Sequence, residues 1–177
     1  MANVMNVLFD FIPPRAFTVK GSAELIEVGD LVFLDGTFQG NTAQDTVRPA
    51  SAGSATQGAA TAKRMFADQF AGVSRQRHDL NSFDTERLVS VDAEVEYIMV
   101  NSTGADTTAT ADIIPGTRVA AGVASGGALI DDRIQVDGHG SASVPANEAI
   151  GFVSRTIKNG ARTARVHIRG IHVMDRT

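Results

Sequence analysis

Arg87-Leu88-Val89-Ser90-Val91-Asp92-Ala93-Glu94-Val95-Glu96-Tyr97-Ile98-Met99-Val100 is the stretch on which the fold turns. Val89, Val91, Ala93, Val95 and Tyr97 alternate with Ser90, Asp92, Glu94 and Glu96, which is the period of a strand with one face buried and one wet. The flanking sequence repeats this chemistry in shorter pieces. Upstream, Leu31-Val32-Phe33-Leu34 is bracketed by Gly29-Asp30 and Asp35-Gly36, short apolar runs punctuated as an antiparallel meander is. Downstream, Arg165-Val166-His167-Ile168-Arg169 alternates again, and a further strand is expected over residues 171–174.

Three short runs share a glycine inside an apolar segment: Phe70-Ala71-Gly72-Val73-Ser74, Ala120-Ala121-Gly122-Val123-Ala124-Ser125 and Ile150-Gly151-Phe152-Val153-Ser154. They are too short to establish a repeat, but a glycine there marks a buried strand that another backbone approaches closely. Helix formers are concentrated in residues 59–69, where Ala62, Met65, Phe66 and Gln69 share a face and predict one short helix. Residues 41–61 are almost wholly Ala, Ser, Thr, Gly and Gln and read as a long loop; residues 101–111 read as a second, Thr-rich one. The expected fold is mainly β: an antiparallel β-barrel or sandwich of about ten short strands, with one short helix and long loops. Residues 1–15 are read as an extended N-terminal arm and 16–177 as a single β-rich domain, a length that can bury a real core.

Composition narrows the function classes. The 177 residues include 17 Gly, one Tyr, no Trp and no Cys, which removes disulfides, cysteine-ligated metals and thiol nucleophiles together. The formal charge of −4 and the shortage of aromatic rings argue against nucleic-acid binding. Residues 1–17 lack the cationic start of a signal peptide, and no apolar run is long enough to span a membrane. The charge is uneven, however. Residues 151–177 hold Arg155, Lys158, Arg162, Arg165, Arg169 and Arg176 against Asp175 alone, a basic end on an acidic body that suggests a polar protein interface.

Candidate chemistry is thin. The sequence Gly127-Ala128-Leu129-Ile130-Asp131-Asp132-Arg133-Ile134 resembles the glycine, isoleucine and aspartate motif of trimeric dUTP hydrolases, small all-β enzymes in which an acid activates water. The expected tyrosine, the phosphate-binding glycine-serine loop and the glycine-rich closing tail are missing. Asp131 and Asp132 read rather as turn residues beside a paired or solvated Arg133, and with Asp137 they match no calcium-loop spacing. His78, His139, His167 and His172 are scattered, with His139 expected in an exposed turn, and make no zinc pattern. No nucleophile elbow or phosphate-cradling loop is present. The chain is therefore expected not to be an enzyme and to take no cofactor or metal.

Two features point instead to surfaces. The apolar N-terminal residues Val4, Val7, Leu8, Phe9, Phe11 and Ile12, cut off by Pro13-Pro14, suit either an edge strand or an arm lashing a neighbour. The face of Arg165, His167 and Arg169 suits either docking to an acidic partner or a solvated strand whose charges prevent edge aggregation.

Taken with Ile26-Glu27-Val28-Gly29-Asp30-Leu31-Val32, the Phe70 to Ser74 run, Ile114-Pro115-Gly116-Thr117-Arg118-Val119-Ala120 and Ala149-Ile150-Gly151-Phe152-Val153, the chain resembles the small β-rich bacteriophage head proteins that decorate or cement a capsid. The resemblance implies a virion structural protein on the capsid surface, a homo-oligomer with a trimer favoured, whose partner is the major capsid protein. Its contact residues would be Val4, Val7, Leu8, Phe9, Phe11, Ile12, Arg165, His167 and Arg169. A tail or baseplate component and a carbohydrate-binding virion module use the same kind of scaffold.

Overall fold

The computed structural model describes residues 7–19, 24–35, 46–53, 58–82 and 86–170. Val4, His172, Asp175, Arg176, the strand expected at 171–174 and parts of the expected 41–61 loop lie outside them. Among the described residues the chain is mainly β, with eleven strands and one α-helix. The strands are β1 (Val7–Asp10), β2 (Arg15–Val19), β3 (Leu31–Leu34), β4 (Thr46–Pro49), β5 (Phe70–Ser74), β6 (Glu86–Ser90), β7 (Asp92–Met99), β8 (Arg118–Val123), β9 (Leu129–Val136), β10 (Gly151–Val153) and β11 (Thr163–Arg169). The helix, α1, is Ala59–Asp68 and buries Ala62, Lys63 and Phe66.

They close into two five-stranded barrels. In the first the order is β2-β4-β3-β5-β6, with β6 returning antiparallel to β2. In the second it is β7-β11-β10-β8-β9, closed where Ile98 and Met99 of β7 run parallel to Arg133 and Ile134 of β9. Strand β7 has room for a further partner on that side. Its first half is covered by β1, through Val7 opposite Val95 and Phe9 opposite Glu94, with an irregularity between Val7 and Phe9.

The alternating stretch from residue 87 to 100 is two strands rather than one, and the chain changes barrel at Val91. The side-chain period is kept across the break. Val89 and Val91 enter the core of the first barrel, whereas Ala93, Val95, Tyr97 and Met99 enter the larger core of the second. Strand β3 shows why an unbroken apolar run was needed upstream. Val32 and Leu34 point into the first barrel, while Leu31 and Phe33 point out of it into the larger core, where Phe33, Phe66 and Phe70 pack edge to tilted at 5.9 and 5.5 Å. A strand apolar on both faces is one buried on both faces.

The three glycines of the echoed runs sit at close backbone approaches. A Cβ on Gly72 would lie 2.1 Å from the Ser90 carbonyl oxygen, one on Gly151 2.2 Å from that of His167, and one on Gly122 2.9 Å from Arg133 Cβ. The expected loop at 41–61 needs correction. Within it Thr46–Pro49 forms β4, Ala50–Ala52 a 3-10 turn, and the helix begins at Ala59. Small side chains mislead there because β4 is short and only Val47 among them enters the first core, its ladder bonds to β2 and β3 supplying the rest.

Candidate interaction face on the second barrel

Strand register alone assembles a row of side chains across the outside of the second barrel. Phe9 lies opposite Glu94, Glu94 opposite His167, His167 opposite Phe152, and Phe152 opposite Arg118, so one line crosses β1, β7, β11, β10 and β8. Directly opposed residues share a face. The neighbouring register pairs are Asp92 with Arg169 and Glu96 with Arg165.

His167 organises the middle of this face. Its Nε2–H donates to Asp92 Oδ1 at 2.5 Å, and its ring lies between Phe11, 4.5 Å away and tilted, and Phe152, 5.0 Å away and edge-on. Phe11 in turn meets Phe9 edge to face at 5.0 Å. Phe9 and Phe11 remain 58% and 50% exposed, so four rings form a connected patch that water still touches. Clustered exposed aromatic rings are a feature enriched at protein contact surfaces.

The basic strand of the sequence is thus only partly free. Arg165 Nε stands 3.6 Å from Glu96, whose second oxygen accepts from Thr163 Oγ1, and Glu94 takes Ser154 Oγ at 2.8 Å and Arg155 at 3.5 Å. The acids of β7 face the bases of β11 and neutralise most of them. Because His167 holds Asp92, Arg169 has no carboxylate partner among the described residues, and neither has Arg118. Of the apolar N-terminal residues, Leu8, Phe9 and Phe11 are exposed, whereas Val7 packs against the larger core and Ile12 against the smaller. Phe152, Arg118 and the acids of β7 were not singled out in the sequence; the only signal was their alternation, which does not say which strands become neighbours.

Beside Arg169 a cleft of about 460 Å³ opens, lined by Gly116, Arg118, Ala149, Ile150, Gly151, Phe152 and Arg169. Elsewhere the sequence candidates are built into the fold. Asp131 and Asp132 are not turn residues but lie within β9: Asp131 Oδ1 accepts the Ser51 backbone N–H at 2.6 Å, and Asp132 pairs with Arg133, which also reaches Asp106. Burial raises the Asp131 carboxyl, against the Ser51 hydrogen bonds. His139 is buried rather than exposed, and Asp137 Oδ1 accepts from Val144 N at 3.0 Å. Among the described residues no three His, Asp or Glu side chains stand close enough to hold a metal ion, and no helix is long and apolar enough to cross a membrane.

Two buried polar features stand between elements. Asp30, 4% exposed, leads into β3 and accepts the Glu27 N–H at 2.7 Å; burial, opposed by that bond and reinforced by Asp131, Asp132 and Glu27, raises its carboxyl to about 7. Tyr97, whose hydroxyl donates to the Gly29 carbonyl at 3.0 Å, is raised well above the phenol range by burial and then by Asp30 and Asp132. Lys63 of α1 forms a buried pair with Glu148 at 2.6 Å and donates to the Ser143 carbonyl.

No protein-family model matches the chain, and no curated protein matches it.

Proposed function

We propose that the chain is a virion structural protein that decorates or cements a bacteriophage capsid, binding neighbouring capsid subunits through the outer face of the second barrel and acting without enzymatic turnover. The observation that carries this reading is the aromatic patch of exposed Phe9 and Phe11 and half-buried Phe152 gathered about His167 on a five-strand face. Strand β1 adds to it. Among the described residues it pairs with β7 alone, and an edge left unpaired there would suit a partner strand. Repeated copies, as a trimer or other homo-oligomer, sum weak contacts by multivalency.

The test is co-sedimentation of the full chain with assembled shells. Binding at a fixed stoichiometry, lost in a Phe9→Ser, Phe11→Ser double variant that still folds, is the expected result; a chain that stays in the supernatant at every salt concentration defeats the proposal. The dUTP-hydrolase resemblance gives the competing activity. Magnesium-dependent nucleotide hydrolysis lost in both Asp131→Ala and Asp132→Ala would replace the structural role by an enzymatic one.

A further inference from the structure

The charges of the outer face are not evenly satisfied, and the imbalance falls at one place. Among the described residues Arg48, Arg75, Arg77, Arg133, Arg155, Arg162 and Arg165 each reach a carboxylate. Arg15, Arg64, Arg118 and Arg169 do not, and of these Arg118 and Arg169 together line the cleft across β8, β10 and β11. Register explains how they come to face one another. Phe152 of β10 lies opposite Arg118 of β8 and His167 of β11, and the Arg169 N–H donates to the Ile150 carbonyl at 3.2 Å, so a guanidinium stands on either side of a floor made by Ile150, Gly151 and Phe152. Asp92, the acid opposite Arg169 on β7, is held by His167 and is not available to it.

The floor is apolar and the turn beside it adds to that character. Gly116 closes the rim through its N–H to the Val153 carbonyl at 2.8 Å, and Ile114, two residues before it, is 69% exposed. An apolar trough with a free guanidinium on each bank fits an extended acidic segment, in which carboxylates take the banks and an aliphatic or aromatic side chain takes the floor.

We propose that this cleft is the seat of an acidic, apolar-containing peptide segment of the partner protein, bound through carboxylates on Arg118 and Arg169. The inference rests on the reading of the chain as a surface-binding protein and names the chemistry of what it binds. The probe is a fluorescein-labelled, end-blocked pentapeptide of three glutamates with a leucine and a phenylalanine between them, titrated with the full chain and followed by fluorescence anisotropy. Its control replaces the glutamates by glutamines.

The glutamate peptide is expected to bind at least tenfold more tightly than the glutamine one at low salt, with Arg118→Gln and Arg169→Gln each weakening it by about tenfold, the loss of one charge-assisted contact. Arg77→Gln, which removes a guanidinium held by Asp79 and Glu27 away from this face, should change it by less than about twofold. Equal affinity for the two peptides, or undiminished binding in both Arg118→Gln and Arg169→Gln, overturns the proposal. Displacement by inorganic phosphate at concentrations where acetate has no effect overturns it in favour of a phosphate ligand. The peptide titration needs no shell. Shells bound normally by the two arginine variants would remove the cleft and leave the docking role, whereas peptide binding without shell binding would do the reverse.

Discussion

Replacing Asp30 by Asn should abolish a pH dependence of stability that runs opposite to ordinary acid denaturation. Asp30 is 4% exposed, and burial with Asp131, Asp132 and Glu27 around it raises its carboxyl from 3.8 to about 7 in the folded chain. Below 3.8 both folded and unfolded forms hold the proton and the group contributes nothing. Between 3.8 and about 7 the unfolded carboxyl has ionised while the folded one has not, so folding weakens as pH rises through this window and the loss is complete above it. Each pH unit costs about 1.4 kcal/mol, which over the window gives roughly 4 kcal/mol, or about 8–16 °C in Tm for a chain of this size. Asparagine keeps an oxygen to accept the Glu27 N–H at 2.7 Å but has no charge to bury. Asp106 and Asp112, held low by hydrogen bonds from Arg162 and Lys158, titrate in both proteins and cancel in the difference. Urea or thermal unfolding of wild type and Asp30→Asn from pH 4 to pH 8 reads that difference. The variant should equal wild type near pH 4 and exceed it increasingly towards pH 8; parallel curves across the range would refute an Asp30 carboxyl titrating near 7.

Gly72→Ala places a Cβ 2.1 Å from the Ser90 carbonyl oxygen at φ +145, and should cost roughly 3 kcal/mol or more in urea unfolding, since β5 and β6 must part to admit it. A loss under about 1 kcal/mol would show that this backbone approach is not tight. Lys63→Met leaves Glu148 buried without its 2.6 Å partner and should cost about 3–5 kcal/mol, while Lys63→Met with Glu148→Leu recovers most of it by thermal denaturation; equal losses in the single and double variants would contradict the pairing. Phe9→Ser with Phe11→Ser should move Tm by only a few degrees, because both rings are at least half exposed, and a collapse of the fold would mean that β1 is needed to hold β7.

What the sequence made legible was periodicity, and what it hid was adjacency. The alternation from residue 87 to 100 places Asp92, Glu94 and Glu96 outward, and that of Arg165 to Arg169 places three bases outward, both as found. Nothing in either segment says that the two become neighbours across the 64 residues between them, so a basic face is expected where a largely neutralised one stands. The crossing between barrels at Val91 was equally hidden, since a strand that leaves one sheet for another without losing its period has no local mark. Asp30 reads as a turn residue because Gly-Asp before an apolar run is turn chemistry; it is buried, and its electrostatic neighbours Asp131 and Asp132 come from β9, a hundred residues later. Asp131 and Asp132 misled for the converse reason. Adjacent acids favour turns, but here Ser51 and Arg133 satisfy them inside a strand.

The same two-faced use of strands decides where binding can occur. Leu31, Phe33, Phe70 and Val73 leave the first barrel to join a core made by β7, β8, β9 and β11 of the second, so the side of the first barrel that carries β3 and β5 is consumed in joining the two. Gly170 marks how closely they meet: its N–H donates to the Val91 carbonyl at 2.7 Å, and a Cβ there would lie 2.2 Å from the Ala71 oxygen. The inward residues of β7 and β11, Val95, Tyr97, Val166 and Ile168, therefore carry the apolar cohesion of the molecule, while the outward residues one position along contribute polar pairs across the strands. Cohesion and the proposed recognition are divided by the parity of residue number along a single pair of strands. The outer face can then change its rings and charges without loosening the core, which is the condition for a surface shaped by its partner rather than by its own fold.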